Sequence, residues 1–223
     1  MLLLGKNPLM LKMILSVIKE NSIPKNRGQL YQLFIKTIFL REEQKKKQID
    51  RDIKTSILSK IAFKMRSLGS VSVSESIFKN IINEIIEDSN ESISSILFYK
   101  EILDNYIIKK SSNNDISFLH ETYQEFFCAF YINVFFEINN ETEIDLGDSI
   151  WIEPLLICGE LIKKEENKIS YFKYLYRGQK KANNIKPFSE FNSDDLNKYI
   201  FVACSYAQKN ITEENDIYKL CEI

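Results

Sequence analysis

The stretch from Ser117 to Tyr131 constrains the fold of this chain more than any other part of the sequence. After a short strand-like segment it continues as a helix in which large apolar side chains recur at steps of three and four. Thr122 and Glu125 have the spacing of a capping box, which predicts that the helix begins at about Thr122. The recurring side chains share one helical face and need cover from neighbouring elements; they are Tyr123, Phe126, Phe127, Phe130, Tyr131 and Val134.

His120, the only histidine of the chain, lies between the predicted strand and this helix. The free N–H groups and the dipole of a helix N-terminus favour an anion at that position. Imidazole gains a proton close to neutral pH, so His120 is a candidate phosphate contact. The same position also suits a histidine that only fills the corner between strand and helix, and the residues alone favour that second interpretation.

The elements before His120 follow the order helix, strand, helix, helix, hairpin. Gly69 ends the first of these helices, and Ser74 is placed to cap the second. Two β-rich segments with a polar loop between them predict the hairpin. This order is typical of a winged-helix domain. The predicted segments are a helix from about Ile53 to Leu68, a strand at 71–73, helices at 75–88 and 93–105, and hairpin strands at 106–109 and 116–119.

Helical stripes on both sides of this region complete a mainly α fold class. They are predicted at about 8–18, 27–41, 151–162, 171–176 and 194–209. We therefore predict a helical subdomain at 1–48, a winged-helix domain with a small β-hairpin at 49–120, and a C-terminal helical domain at 121–223. A repeat-like arrangement is one alternative for the C-terminal domain.

The first helix is apolar around nearly its whole circumference. Asn7 suits the N-cap and Pro8 the first helical position, and only Lys12 and Ser16 interrupt the apolar residues that follow. A helix of this kind is normally buried. Because it lies so near the start of the sequence, we expect it to be covered by something that this chain does not contain.

The sequence holds little catalytic machinery. Gly5-Lys6 is followed by Asn7 and is not a P-loop, and no apolar strand ends in paired acidic residues that would hold magnesium. No glycine-flanked nucleophile elbow accompanies His120. We therefore predict that the chain is not an enzyme on its own. With 30 basic and 31 acidic residues the formal charge is −1, so no net basic field attracts nucleic acid, and a nucleic-acid partner is not expected.

Cysteine usage and hydropathy indicate the compartment. The four cysteines are far apart and only one histidine is present, so a zinc site is not expected and reduced thiols are the default. No run of about 18 apolar residues is present, and the first leucines are too few for a signal peptide. We predict a cytoplasmic protein without a membrane partner.

Two stretches resemble NACHT-type signal-transducing P-loop ATPases of the STAND class. NPLML at residues 7–11, followed by IPKNRGQLYQLF at 23–34, resembles the segment after the ATPase core of that family. FLHETYQEFFCA at 118–129 resembles the family's "FxHxTFQEYFAA" motif. Together these stretches cover about residues 5–135 in the order and at the separation that the family shows.

The resemblance implies that a helical subdomain and a winged helix fold over a nucleotide that an upstream P-loop domain binds. Pro8 would then lie on the adenine side, and His120 would contact the β-phosphate of ADP in the resting state. The chain departs from the family because the P-loop and the acidic magnesium strand are absent from it. It resembles the C-terminal part of such a protein, as a fragment, a truncated reading frame or a split subunit.

Three functional hypotheses follow. The first is a regulatory, autoinhibitory module that senses ADP or ATP only together with a NACHT ATPase core, in cis or in trans, and that oligomerises on activation in signalling or antiviral defence. The second is a free-standing winged-helix DNA binder, which the acidic residues of the helix at 75–88 disfavour. The third is a helical scaffold that binds a protein partner through the first helix. No cofactor is expected for the isolated chain.

Overall fold

The computed structural model describes residues 8–18, 23–43, 49–89, 92–139, 144, 148–164, 166–168, 170–171 and 174–175. These residues are mainly helical and include one small antiparallel sheet. The helices are α1 (Pro8–Ile18), α2 (Arg27–Glu43), α3 (Arg51–Ser67), α4 (Glu75–Glu87), α5 (Ser95–Leu103), α6 (Glu121–Asn139) and α7 (Ile152–Leu161). The strands are β1 (Ser72–Ser74), β2 (Ile108–Lys110) and β3 (Asp115–Phe118), and a 3-10 turn at Ser149–Trp151 leads into α7.

The mainly α character of the predicted fold class is thus confirmed. The predicted helix at 194–209 lies outside the described residues. The chain divides into two compact units, the first ending at Tyr131 and the second beginning at Ile132, so the division falls inside α6. The domain boundaries expected after residues 48 and 120, and a repeat-like arrangement of the C-terminal part, stay predictions.

The sheet has the strand order β1-β3-β2, with both pairs antiparallel. Val73 pairs with Ile116 and Ile108 pairs with Phe118, and all four of these side chains are buried. The predicted hairpin is confirmed, because β2 and β3 are joined by a short turn in which Ser111 N–H donates to Asp115 O at 2.8 Å. Because β3 is the central strand, hydrogen bonds on both of its sides fix the position of the residues that directly follow it.

Local signals in the sequence fix the helix ends. The hydroxyl of Ser74 accepts from Ile77 N–H at 3.4 Å and caps α4, as predicted. Gly69 has φ +66° after the end of α3, a backbone conformation that L side chains rarely adopt. Gly69 N–H donates to Arg66 O at 2.8 Å and Ser70 N–H to Met65 O at 3.1 Å. These two bonds form a Schellman motif, so Gly69 ends the helix, as the sequence indicates.

The aromatic face at the start of α6 forms the centre of the first unit. Phe126 lies 5.9 Å from Tyr31 of α2, Phe127 lies 5.7 Å from Phe118 of β3, and each distance joins two ring centroids. Tyr131 lies 4.5 Å from Phe63 of α3. Such tilted pairs stabilise a core beyond the area that they bury. Tyr123, Phe126 and Phe127 are therefore core, and α6 joins three other elements. The predicted face is wrong in its second half, where Phe130 and Tyr131 are half-buried and Val134 is 43% exposed.

A buried ion pair joins α3 to α5. Lys54 Nζ lies 2.8 Å from Glu101 Oε2, and the two side chains are only 2% and 5% exposed. Lys54 Nζ also lies 5.9 Å from the ring centroid of Phe39 on α2, within the range of a cation–π contact. Three helices therefore meet at one ammonium group.

Replacing Lys54 should be costly. We expect Lys54→Met to lower the free energy of unfolding by about 3–5 kcal/mol in urea titrations, because the buried Glu101 carboxylate loses its cation. The double variant K54M/E101L removes both charges and should regain most of the loss. Lys60→Met, on the same helix, is the control and should change stability by at most about 0.5 kcal/mol. A cost below about 1 kcal/mol for K54M would contradict this account.

Glu75, the first residue of α4, makes one hydrogen bond and two ion pairs. Its Oε1 accepts from Tyr99 Oη at 2.9 Å and lies 2.7 Å from Lys79 Nζ, and its Oε2 lies 2.6 Å from Lys110 Nζ. The hydrogen bonds from Lys110, Lys79 and Tyr99 lower the pKa of Glu75 from 4.5 to about 2. Burial and the bond to Glu75 raise the pKa of Tyr99 to about 12. The cluster links α4, α5 and β2.

The lowered pKa of Glu75 predicts a pH-dependent stability difference. Because the folded-state pKa lies near 2 and the ordinary value is 4.5, the ionised carboxylate stabilises the fold above about pH 4.5 and this contribution is lost as the pH falls toward 2. We expect Glu75→Gln to be less stable than the native chain at pH 7, with a gap that narrows steadily below pH 4.5. Glu87→Gln, at the other end of α4, controls for the loss of one negative charge. A gap that does not depend on pH would contradict the assignment.

Candidate functional site

Leu119 and His120 alone connect β3 to α6. Leu119 N–H donates to Ile107 O at 2.7 Å, and Tyr123 N–H donates to His120 O at 3.0 Å. These bonds hold the backbone on both sides of His120, whose side chain is exposed. Because α6 begins at Glu121, His120 occupies the N-cap position. The imidazole therefore stands in solvent beside a helix N-terminus.

Tyr123, and not His120, fills the corner between β3 and α6. Tyr123 is 4% exposed, and its ring centroid lies 6.1 Å from that of Phe34 and 6.2 Å from that of His120. Burial, with a smaller contribution from Tyr31, raises the pKa of Tyr123 to about 12, so its phenol is neutral at physiological pH. The exposed imidazole is left available for a contact outside the core.

Polar side chains fix the first two turns of α6 against the end of α3. Gln124 is 1% exposed, and its Nε2 donates to Ser70 O at 3.1 Å. Arg66 lies with one guanidinium nitrogen 3.7 Å from Glu121 Oε1 and with the other 3.7 Å from Glu125 Oε1. The orientation of α6, and with it the position of His120, therefore depends on contacts to α3.

The predicted capping box is wrong in its details. α6 begins one residue earlier than expected, so Thr122 lies within the first turn and cannot be the N-cap. Its Oγ1 lies 3.5 Å from His120 Nδ1, and the Glu125 carboxylate faces Arg66. The tertiary ion pair replaces the local bond that the spacing predicts. The first turn also carries the Glu121 carboxylate, whose negative charge Arg66 offsets in part.

A groove runs along α1 and α2. At one end is a cavity of about 310 Å³, which Pro8, Leu11, Lys12, Leu15 and Ser16 of α1 line together with Arg41 of α2. Pro8 is the first residue of α1 and is exposed. It therefore combines the structural role of a proline at the first helical position with a place at the rim of a cavity.

A second cavity of about 270 Å³ adjoins the first, because Lys12, Ser16 and Arg41 line both. Its remaining walls come from α2, from the turn after α5 and from the residues on either side of His120. They are Phe34, Ile38, Asp104, Asn105, Tyr106, Leu119 and Tyr123. We call this space the inner cavity.

The inner cavity combines an aromatic wall with separate charges. Tyr106 is 74% exposed and has φ +60°, an uncommon backbone conformation for a residue other than glycine. Lys12 and Arg41 contribute two positive charges and Asp104 one negative charge. The positive charge is therefore in excess along this side of the groove.

Of the two predicted site residues, only Pro8 lines this groove. Pro8 lines the cavity of about 310 Å³, and the inner cavity reaches Leu119 and Tyr123, which lie one residue before and three residues after His120; neither lining includes His120 itself. Sequence reasoning did not identify Lys12, Arg41 and Asn105 as site residues. Lys12 carried a usable signal, because it is the only charged residue of the apolar α1.

Comparisons with protein-family models, curated proteins and solved structures find no match to this chain. The NACHT-type resemblance therefore stays a prediction based on the two stretches. Within the described ranges, no cluster of three histidine, cysteine or acidic residues could hold a metal ion. None of the helices in that part of the chain is long and apolar enough to cross a membrane.

The geometry of the corner predicts different costs for His120 and Tyr123. We expect His120→Ala to change the free energy of unfolding by at most about 0.5 kcal/mol, because the side chain is exposed. Tyr123→Ala should cost about 3–5 kcal/mol, because it empties a buried aromatic site. Urea unfolding of the two variants tests this. A large cost for H120A would restore the interpretation of His120 as a residue that fills the corner.

Proposed function

We propose that this chain is the regulatory, nucleotide-sensing segment of a NACHT-type signal-transducing ATPase. ADP or ATP is held mainly by a P-loop domain, in cis or in trans, and His120 contacts the phosphates in the resting state. The observation that carries the proposal is the exposed imidazole at the N-terminus of α6, a position that favours an anion. Its backbone bonds and the buried Tyr123 hold this position without using the imidazole.

The position of Pro8 supports the same proposal. The residues that flank His120 and the first residue of α1 border one groove, as a nucleotide contacted at both ends would require. Base and phosphate of a nucleotide are recognised by different chemistry, and an exposed proline and an imidazole fit those two parts. The groove is open to solvent at Pro8, where a P-loop domain would complete the site.

The exposed face of α1 supports contact with an ATPase core. Leu11, Leu15 and Ile18 recur at steps of four and three and are 45%, 56% and 46% exposed, whereas Met13 and Val17 are buried. An exposed apolar stripe of this kind marks a protein interface. In the proposed resting state the core covers this face, and its release frees the chain to oligomerise.

The winged-helix assignment belongs to the same proposal. The element order from α3 to β3 and the sheet order β1-β3-β2 agree with it. In the proposed mechanism this domain clamps ADP through His120 in the off state and moves when ATP or a trigger favours the open state.

A free-standing interaction module is the second candidate. The same exposed face of α1 favours it, since any protein partner with a complementary apolar surface would bury Leu11, Leu15 and Ile18. DNA binding has less support, because Glu84 and Glu87 are exposed on α4 and Lys110 is paired with Glu75. Binding of the isolated chain to DNA with a steep salt dependence would reverse this order.

The proposal predicts that His120 contributes to ADP affinity only in the complex. The chain is co-expressed with the P-loop ATPase core encoded nearest upstream, and ADP binding is measured by calorimetry. We expect His120→Ala to weaken binding by about tenfold to a hundredfold, because a charge-assisted hydrogen bond to phosphate is lost.

His120→Asn is the matched variant. Asparagine is a good N-cap but carries no positive charge, so it should weaken ADP binding as alanine does while α6 keeps its start. Lys36→Gln, on the exposed face of α2, should bind ADP like the native chain. Unchanged ADP affinity in both His120 variants would refute the clamp.

A further inference from the structure

Asn105 is a buried amide whose oxygen, but not its nitrogen, has a hydrogen-bond partner among the described residues. It lies in the turn after α5, is 1% exposed, and its Oδ1 accepts from Ile107 N–H at 3.1 Å. That bond sets the orientation of the amide, so Nδ2 is the remaining donor. Among the residues that the structure describes, Nδ2 has no hydrogen-bond partner, and it is covered from solvent by its neighbours. A buried donor without a partner is destabilising, and an acceptor supplied by a ligand would offset that cost.

Asn105 lines the inner cavity, where other groups share its preference for an acceptor. Lys12 and Arg41 supply two positive charges, and Tyr123 has a neutral phenol whose pKa lies near 12. Asp104 is the one carboxylate in the lining, so one positive charge is in excess. An oxyanion bearing a single charge matches this balance, and a dianion exceeds it.

The rest of the lining is apolar and aromatic. Phe34, Ile38 and Leu119 form walls, and the ring of Tyr106 lies at the exposed margin. The volume of about 270 Å³ is near the lower end for small-molecule sites, which run from about 300 to 1,000 Å³. Such a space fits one flat ring system and is small for a nucleotide.

We propose that the inner cavity binds a small organic monoanion with an aromatic body, whose oxyanion meets Lys12 and Arg41 and, once the atoms that cover it shift, Asn105 Nδ2. The site lies within a single compact unit and uses neither Pro8 nor His120. Its ligand contacts therefore differ from the proposed nucleotide contacts, although both lie along one groove, and its binding does not need an ATPase core. The ligand joins α1 and α2 to the turn after α5, so its occupancy stabilises these elements together.

The test uses the full chain and two matched probes, 2-naphthoate and its neutral amide 2-naphthamide, in isothermal titration calorimetry. We expect naphthoate to bind at least tenfold more tightly than the amide, since only the anion gains from the positive charges. Absence of naphthoate binding at millimolar concentration, or equal affinity for the two probes, overturns the proposal.

Variants assign the binding to the cavity. The double variant K12Q/R41Q should bind naphthoate about tenfold more weakly, while Lys36→Gln on the same α2 should bind it like the native chain. Asn105→Asp keeps the acceptor for Ile107 N–H, replaces the amide donor by a carboxylate and should abolish naphthoate binding. If circular dichroism shows that N105D does not fold, K12Q/R41Q decides the matter. Native affinity in K12Q/R41Q overturns the proposal.

Discussion

The burial of one aromatic helix face is the constraint on which the first unit depends. Phe126 and Phe127 of α6 are fully covered, and their partners come from α2 and from β3. The three short strands form a sheet too small to be stable without a packed face, and α6 supplies that face through Phe127. The position of His120 follows from this packing, because it directly precedes the helix that all these elements contact.

Apolar burial is not directional, so polar contacts decide how the helices are oriented. Arg66 and Gln124 tie the first turns of α6 to the end of α3, and Lys54 with Glu101 sets α3 against α5. Each contact joins groups that are mostly hidden from water, where a misplaced charge is expensive. These contacts fix the connection between β3 and α6, so the exposed imidazole of His120 has a defined position.

The elements that the sequence predicts well are those with local causes. Ser74 as a cap and Gly69 as a helix end involve neighbours within a few residues, and the first part of the α6 stripe is a period that a single segment displays. The stripe fails at Val134, which is exposed. Lys54 and Glu101 lie in separate helices, and nothing in either segment identifies its partner. The same reason accounts for the failed capping box, since Glu125 is engaged by Arg66. The sequence around Asn105 indicates only a turn. Asn105 becomes part of a cavity only because residues from distant segments pack beside it.

Tyr106 combines an unfavourable backbone conformation with an exposed aromatic ring. Glycine adopts a positive φ without penalty, whereas a tyrosine at φ +60° carries a cost of about 1–2 kcal/mol. Selection for stability alone favours the smaller residue at this position. The tyrosine ring, at the margin of the inner cavity with most of its surface in water, offsets little of that cost by burial. If the proposed ligand makes up for this cost, chains that lose the ligand are expected to gain stability by replacing Tyr106 with glycine.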